Sequence, residues 1–165
     1  MNGIKAALLA AMEAYFDGDT KRINHARKVT EYAEQLWQKE SGDYQIVVGA
    51  AVLHDIGIHQ AEEKYGSSAG KYQEIEGPPI ARRILIELGF TPNQIDAICE
   101  IIAHHHSPGE ITTKDFKIVY DADWLVNLRD EYDIRDQGKL NSIIENVFLT
   151  RSGKALARKV YLGTN

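Results

Sequence analysis

The sequence predicts an all-α protein, a compact bundle of six or more helices. Apolar residues recur at helical spacing in one segment after another, and no segment alternates apolar and polar residues as a half-buried strand would. Residues that start and stop helices separate these segments. The 165 residues are 44% hydrophobic and 26% charged, proportions that suit a single domain over 1–165 with its own core.

In the first segment Ile4, Ala7, Leu8, Ala11, Met12 and Tyr15 share one helical face, and Asp17-Gly18-Asp19 ends it. A second helix is expected from Thr20 to about Lys39, with His25, Val29, Tyr32, Ala33 and Leu36 turned inward. Ser41-Gly42-Asp43 breaks the chain. The third helix, Tyr44 to Ile56, is apolar nearly all round, which marks a central, buried element, and Gly57 is its expected cap. Residues 58–77 read as a long irregular segment around Gly66-Ser67-Ser68-Ala69-Gly70, the kind of loop that shapes a pocket. Pro78-Pro79 is expected to open a helix that stops at Gly89. Thr91-Pro92-Asn93-Gln94 carries a capping-box pattern. The helix it starts buries Ile95, Ile98 and Ile102 and runs into His104-His105-His106. Another helix spans about Asp115 to Asp130. C-terminal helices over 139–162 pack on the core, with Leu140, Ile143, Ile144, Val147 and Phe148 on one face.

Composition narrows the function. The formal net charge of -5 counts against polymeric nucleic acid or an anionic membrane as partner. The single cysteine, Cys99, excludes an internal disulfide framework and a Cys-based zinc finger. The apolar run Ile46 to Leu53 is far too short to cross a bilayer. The apolar stretch Ile4 to Met12 follows helical spacing, so it reads as a packed helix and not as a signal peptide, and the expected location is the cytoplasm. No Gly-rich phosphate loop precedes a helix, and no Gly-x-Ser-x-Gly elbow occurs. A homodimer is one arrangement the sequence allows.

Chemistry-bearing residues stand out where the pattern calls for apolar ones. His25 lies on the inward stripe of its helix. His54-Asp55 closes the buried third helix, at the negative end of its dipole, where a cation is favoured. A carboxylate there is costly to bury unless it is paired or bound to a metal. His105 continues the stripe of Ile98 and Ile102, and His104 follows Ile101 by one turn. Asp121 lies between Ile118 and Leu125, while Asp123, between Val119 and Val126, is its rival. Each residue alone has an ordinary structural explanation, such as a hydrogen-bonded core histidine or an exposed carboxylate. Together, four helices bring imidazoles and carboxylates towards one interior, a set most cheaply satisfied by a divalent cation.

These residues resemble the HD-domain superfamily of metal-dependent phosphohydrolases. The resemblance rests on His25 in RINHARKVTEYAEQL, the doublet in AAVLHDIG, the IIAHHHSP phrase and a distal Asp in IVYDADWLVNL, and covers roughly residues 20 to 130. It implies that His25, His54, Asp55 and Asp121 hold one divalent metal. Relatives with two metals add further histidines, which fit His104 and His105. An earlier His of that pattern falls on Glu76. The implied reaction is attack of metal-activated water on a small phosphorylated substrate, a nucleotide or similar phosphoester. Imidazole ligands favour Mn, Fe, Co, Ni or Zn over Mg. Asp55 is then part of the catalytic centre, Glu62 stands where some relatives keep acidic catalytic residues, and Lys71 joins Lys21, Arg22 and Arg129 as a candidate phosphate clamp. Two alternatives remain open, an HD-like di-iron oxygenase and a non-catalytic metal- or ligand-binding HD module.

Overall fold

The computed structural model describes residues 2–109 and 111–163, and among these every regular element is a helix. There are nine: α1 (Asn2–Phe16), α2 (Thr20–Glu40), α3 (Tyr44–Leu53), α4 (Ile58–Tyr65), α5 (Gly70–Glu87), α6 (Pro92–His104), α7 (Lys114–Glu131), α8 (Gln137–Val147) and α9 (Arg151–Leu162). The all-α expectation therefore holds. None of these helices is long and apolar enough to cross a membrane.

Short polar side chains set the helix starts. Asp19 accepts a hydrogen bond from the Arg22 amide, Asp43 from Gln45 and Ile46, and Asp136 from Lys139. Thr91 and Gln94 form the expected capping box. Each such cap satisfies amides that the first helical turn leaves without partners.

Helix α3 sits at the centre, packed by α1, α2, α6 and α7. Its residues Val47 through Leu53 are all buried, as an all-round apolar helix requires. Helix α2 lies along α7, α5 pairs with α6, and α9 lies on both α7 and α8. The core includes Leu8, Met12, Leu36, Leu53, Ile98, Phe116 and Leu125.

The segment 58–77 departs from expectation. It is largely helical, with only a short link between α4 and α5. Ile58 and Ala61 bury one side of α4, and Gly66 ends it at a φ of 68°. Gly and Ser in the link had masked the short amphipathic helix on one side and the start of α5 on the other. Pro78 and Pro79 also do not open a helix; they lie inside α5. The residue before them is Gly77, whose missing Cβ relieves the clash that a proline ring makes with its predecessor. Gly77 serves packing as well, because a Cβ there would meet the Ile102 side chain at 2.9 Å.

Candidate metal centre and adjoining cleft

Helix α3 stops at Leu53, and residues 54–57 form a tight turn. Consecutive residues of a helix point about 100° apart, but this turn brings His54 and Asp55 to one place. His54 Nε2 lies 3.3 Å from Asp55 Oδ2. Backbone bonds from Ile56 to the Leu53 carbonyl and from Ile58 to the Asp55 carbonyl hold the turn. Gly57 is needed because a Cβ there would fall 2.5 Å from the Gly77 amide nitrogen. The turn thus carries α5 directly against it.

Helix α2 supplies His25 and helix α7 supplies Asp123. His25 Nε2 is 3.2 Å from His54 Nε2, 3.4 Å from Asp55 Oδ2 and 3.0 Å from Asp123 Oδ1. Asp123 Oδ1 is 3.3 Å from His54 Nε2. With metal–ligand bonds of about 2.1 Å, neighbouring donors around an octahedral or tetrahedral ion stand about 3.0–3.4 Å apart. Two imidazole nitrogens and two carboxylate oxygens therefore converge at coordination spacing.

Ring orientation agrees. His54 Nδ1 donates to the Ala51 carbonyl at 2.8 Å, and His105 Nδ1 donates to the Ile102 carbonyl at 2.6 Å. Both rings are held in the tautomer that leaves the Nε2 lone pair free to bind a cation. His105 Nε2 is buried and lacks a hydrogen-bond partner, although Asp55 Oδ1 is 3.3 Å away. A buried, unpartnered acceptor is costly unless something occupies it. Asp55 thus turns one oxygen to His25 and His54 and the other to His105. Asp55, His105 and His106 form a second group whose donor atoms lie within 4.8 Å of one another.

The charges are strongly coupled. Burial works against a charged His54, but Asp55 and Asp123 beside it outweigh burial and hold its pKa well above the usual imidazole value. Burial likewise opposes ionisation of Asp55 and Asp123. The adjacent His54 overrides it in both, with help from His105 at Asp55 and from His25 at Asp123, so both carboxyls titrate well below the usual range. Without a cation, His54 takes a proton to balance the carboxylates.

A cleft of about 320 Å³ opens onto the cluster. His25, Asp55, Asp123 and His106 line it, together with Lys21, Arg22, Ile58, Ser68, Gln73, Asn127, Asp130 and Glu131. Gln73 Oε1 lies 3.3 Å from His106 Nε2, and its amide donates to the Ser68 carbonyl.

Several sequence candidates lie elsewhere. Asp121 faces away from the cluster. It accepts hydrogen bonds from the Leu149 and Thr150 amides, each at 2.8 Å, and from the Thr150 hydroxyl at 2.6 Å. Burial raises its pKa to about 6 despite those donors. The carboxylate that α7 delivers is Asp123, two residues on, which is about 200° round the helix. Glu76 meets the Tyr65 hydroxyl at 2.9 Å and the Lys64 ammonium at 3.4 Å, and Gln73, one turn earlier, faces the cleft instead. His104 bonds its own helix through the Glu100 carbonyl. Glu62 is half exposed and lies 3.5 Å from Arg22. Lys71 stands over the Tyr72 ring at 4.9 Å and does not line the cleft. Sequence reasoning gives no role to the cleft residues His106 and Gln73. Asp123 is the rival carboxylate that helical spacing marks beside Asp121, and nothing in the sequence singles out Gln73.

An all-helical domain with two imidazoles and two carboxylates gathered at the end of its central helix defines a class, the helical proteins built around a His/Asp cluster able to hold a metal ion. Residues 22–128 match the family model described as HD domain, so the chain belongs to the HD-domain family. Among solved structures it is similar to a predicted HD superfamily hydrolase from an uncultured Thermotogales bacterium. That similarity has a TM-score of 0.67 at 26% identity, over 99% of this chain and 86% of the other. No curated protein matches the chain.

Proposed function

We propose that the chain is a metal-dependent phosphohydrolase acting on a small phosphorylated substrate. The observation that carries the reading is the set of four donor atoms from three separate parts of the chain, converging at coordination spacing beside a cleft. The similarity to a predicted HD superfamily hydrolase supports it.

His25, His54, Asp55 and Asp123 would hold the first ion. His105 and His106, sharing Asp55, offer a place for a second. A bound divalent ion supplies Lewis acidity towards phosphate oxygens and lowers the pKa of water near it. The remaining roles fall to the chain itself. Lys21 and Arg22 on the cleft wall bind phosphate oxygens through charge-assisted hydrogen bonds. Glu62, paired with Arg22, orients that guanidinium from outside the cleft. Gln73 holds the His106 ring, and with the first ion alone bound this leaves His106 placed to take or return a proton at the cleft. Lys71 has no part in this arrangement.

The test is elemental analysis of the purified chain together with hydrolysis of p-nitrophenyl phosphate, for wild type and Asp55→Ala. One or two equivalents of Mn, Fe, Co, Ni or Zn, lost with the activity in the variant, is the expected result. Bound metal without turnover of any phosphoester would leave a binding module. Mostly iron with oxygen consumption would point to the oxygenase chemistry that the second group keeps open.

A further inference from the structure

A second hollow of about 260 Å³ adjoins the cleft and shares Lys21, His25 and Asp130 with it. His25 therefore forms part of the wall between the two. Along α2, Lys21, His25, Lys28 and Tyr32 follow one another at helical spacing and all line this second hollow. Arg129 comes from α7 and Tyr161 from α9. The Arg129 guanidinium lies over the Tyr161 ring at 5.8 Å, and the Tyr161 hydroxyl donates to the Leu125 carbonyl.

The charge pattern is unusual for an acidic chain. Lys21, Lys28 and Arg129 have no ion-pair partner within 4.0 Å among the described residues. Asp130 is the one carboxylate set against them in the hollow. Unpaired cations lining a concavity raise the local concentration of anions and hold them once bound. Lys21 and Lys28 are separated by seven residues, about 10 Å along the helix axis. Lys28 and Arg129 line the second hollow and not the cleft at the metal cluster.

We propose that this hollow is a subsite for a second anionic group of the substrate, held by Lys28 and Arg129, while the first phosphate lies at the metal cluster. The substrate class is then a phosphoester with a second phosphate or a carboxylate some distance along the molecule. This assignment rests on the phosphohydrolase reading for the first phosphate, but the subsite itself is tested by binding alone. Lys28 and Arg129 are positioning residues, and Tyr32 and Tyr161 offer an aromatic wall for the part of the substrate between the two charges.

The experiment is calorimetric titration of the full chain, metal-free and manganese-loaded, with hexamethylene bisphosphonate and with hexylphosphonate. Their P–C bonds are not hydrolysed, so binding is read without turnover. The bisphosphonate is expected to bind about tenfold or more tightly than the monophosphonate, a difference of about 1.4 kcal/mol. Lys28→Gln combined with Arg129→Gln should erase that preference and leave hexylphosphonate binding unchanged. Both side chains are exposed, and circular dichroism checks that the variant folds. Equal affinities, a preference that survives the double variant, or no bisphosphonate binding at millimolar concentration would each overturn the subsite. A carboxylate-terminated hexylphosphonate, run alongside, distinguishes a second phosphate from a carboxylate. Preference in the absence of any metal binding would keep the subsite and remove the hydrolase. Manganese-dependent hydrolysis of p-nitrophenyl phosphate, with no preference for the bisphosphonate, would do the reverse.

Discussion

Asp121 and Asp123 are both buried carboxylates on the same helix, and they do opposite things. Asp123 faces His25 and His54, whereas Asp121 holds the amides that open α9. Asp123→Ala is expected to lower metal affinity by a hundredfold or more, read by elemental analysis after dialysis against a weak chelator, while helicity stays near wild type. Asp121→Ala should keep the metal but cost about 2–4 kcal/mol in urea unfolding, because two amides and a hydroxyl lose their buried acceptor. Loss of metal in the second variant and not in the first would reverse the assignment. Gln73 calls for a separate measurement. Gln73→Ala should leave metal content intact and lower phosphoester turnover, since it frees the His106 ring without touching His25, His54 or Asp123.

At the scale of elements, the HD turn and α5 meet through two glycines. A Cβ at Gly57 would press on backbone, which cannot give way as a flexible side chain can. Gly57→Ala is therefore expected to cost about 1–3 kcal/mol and to weaken metal binding, because His54 and Asp55 sit on the turn that must shift. A thermal melt and a metal titration on the same sample check both effects. Gly153 does similar work where α9 meets the middle of α7, because a Cβ there would fall 2.3 Å from Asp121 Oδ2. The Asp19 and His59 contact, at 2.7 Å, ties α4 to the start of α2 outside the cleft. His59→Ala should leave phosphoester hydrolysis within about twofold of wild type and lower stability by less than about 1 kcal/mol.

For the molecule as a whole, the cluster links metal, protons and stability. In the metal-free chain the depressed Asp55 and Asp123 contribute stability that is complete above the unfolded carboxyl value of 3.8. That contribution fades as pH falls through their lower folded values. The raised His54 contributes stability that is complete below 6.5 and fades as pH rises through its higher folded value. Asp121, raised by burial to about 6, adds a contribution that is complete below 3.8 and fades as pH rises to about 6. The melting temperature without metal should therefore be highest near pH 4 and decline as pH rises from there. A bound ion needs neutral imidazole, so metal binding displaces protons and its affinity rises with pH. Thermal melts from acid to alkaline pH, with and without EDTA, should show the two curves diverging as pH rises. Parallel curves would mean that His54 is not a ligand.

The all-helical class, the buried central α3, the capping-box start of α6 and the HD doublet could all be read from sequence. They depend on local spacing and on the cost of placing a polar group among apolar ones. His25, His54 and Asp55 stood out because each interrupts an apolar stripe. Tertiary structure alone decided which carboxylate of α7 meets them. That helix is buried on several sides, so periodicity marks Asp121 and Asp123 alike, and only the positions of α2, α3 and α9 separate them. The same holds for Gln73 over Glu76. Both lie on a helix that glycines and prolines had disguised, and the Gly57 and Gly77 contact determines which of them reaches the cleft. Local sequence can show that a side chain is out of place among its neighbours, but what it then meets depends on packing between elements far apart in the chain.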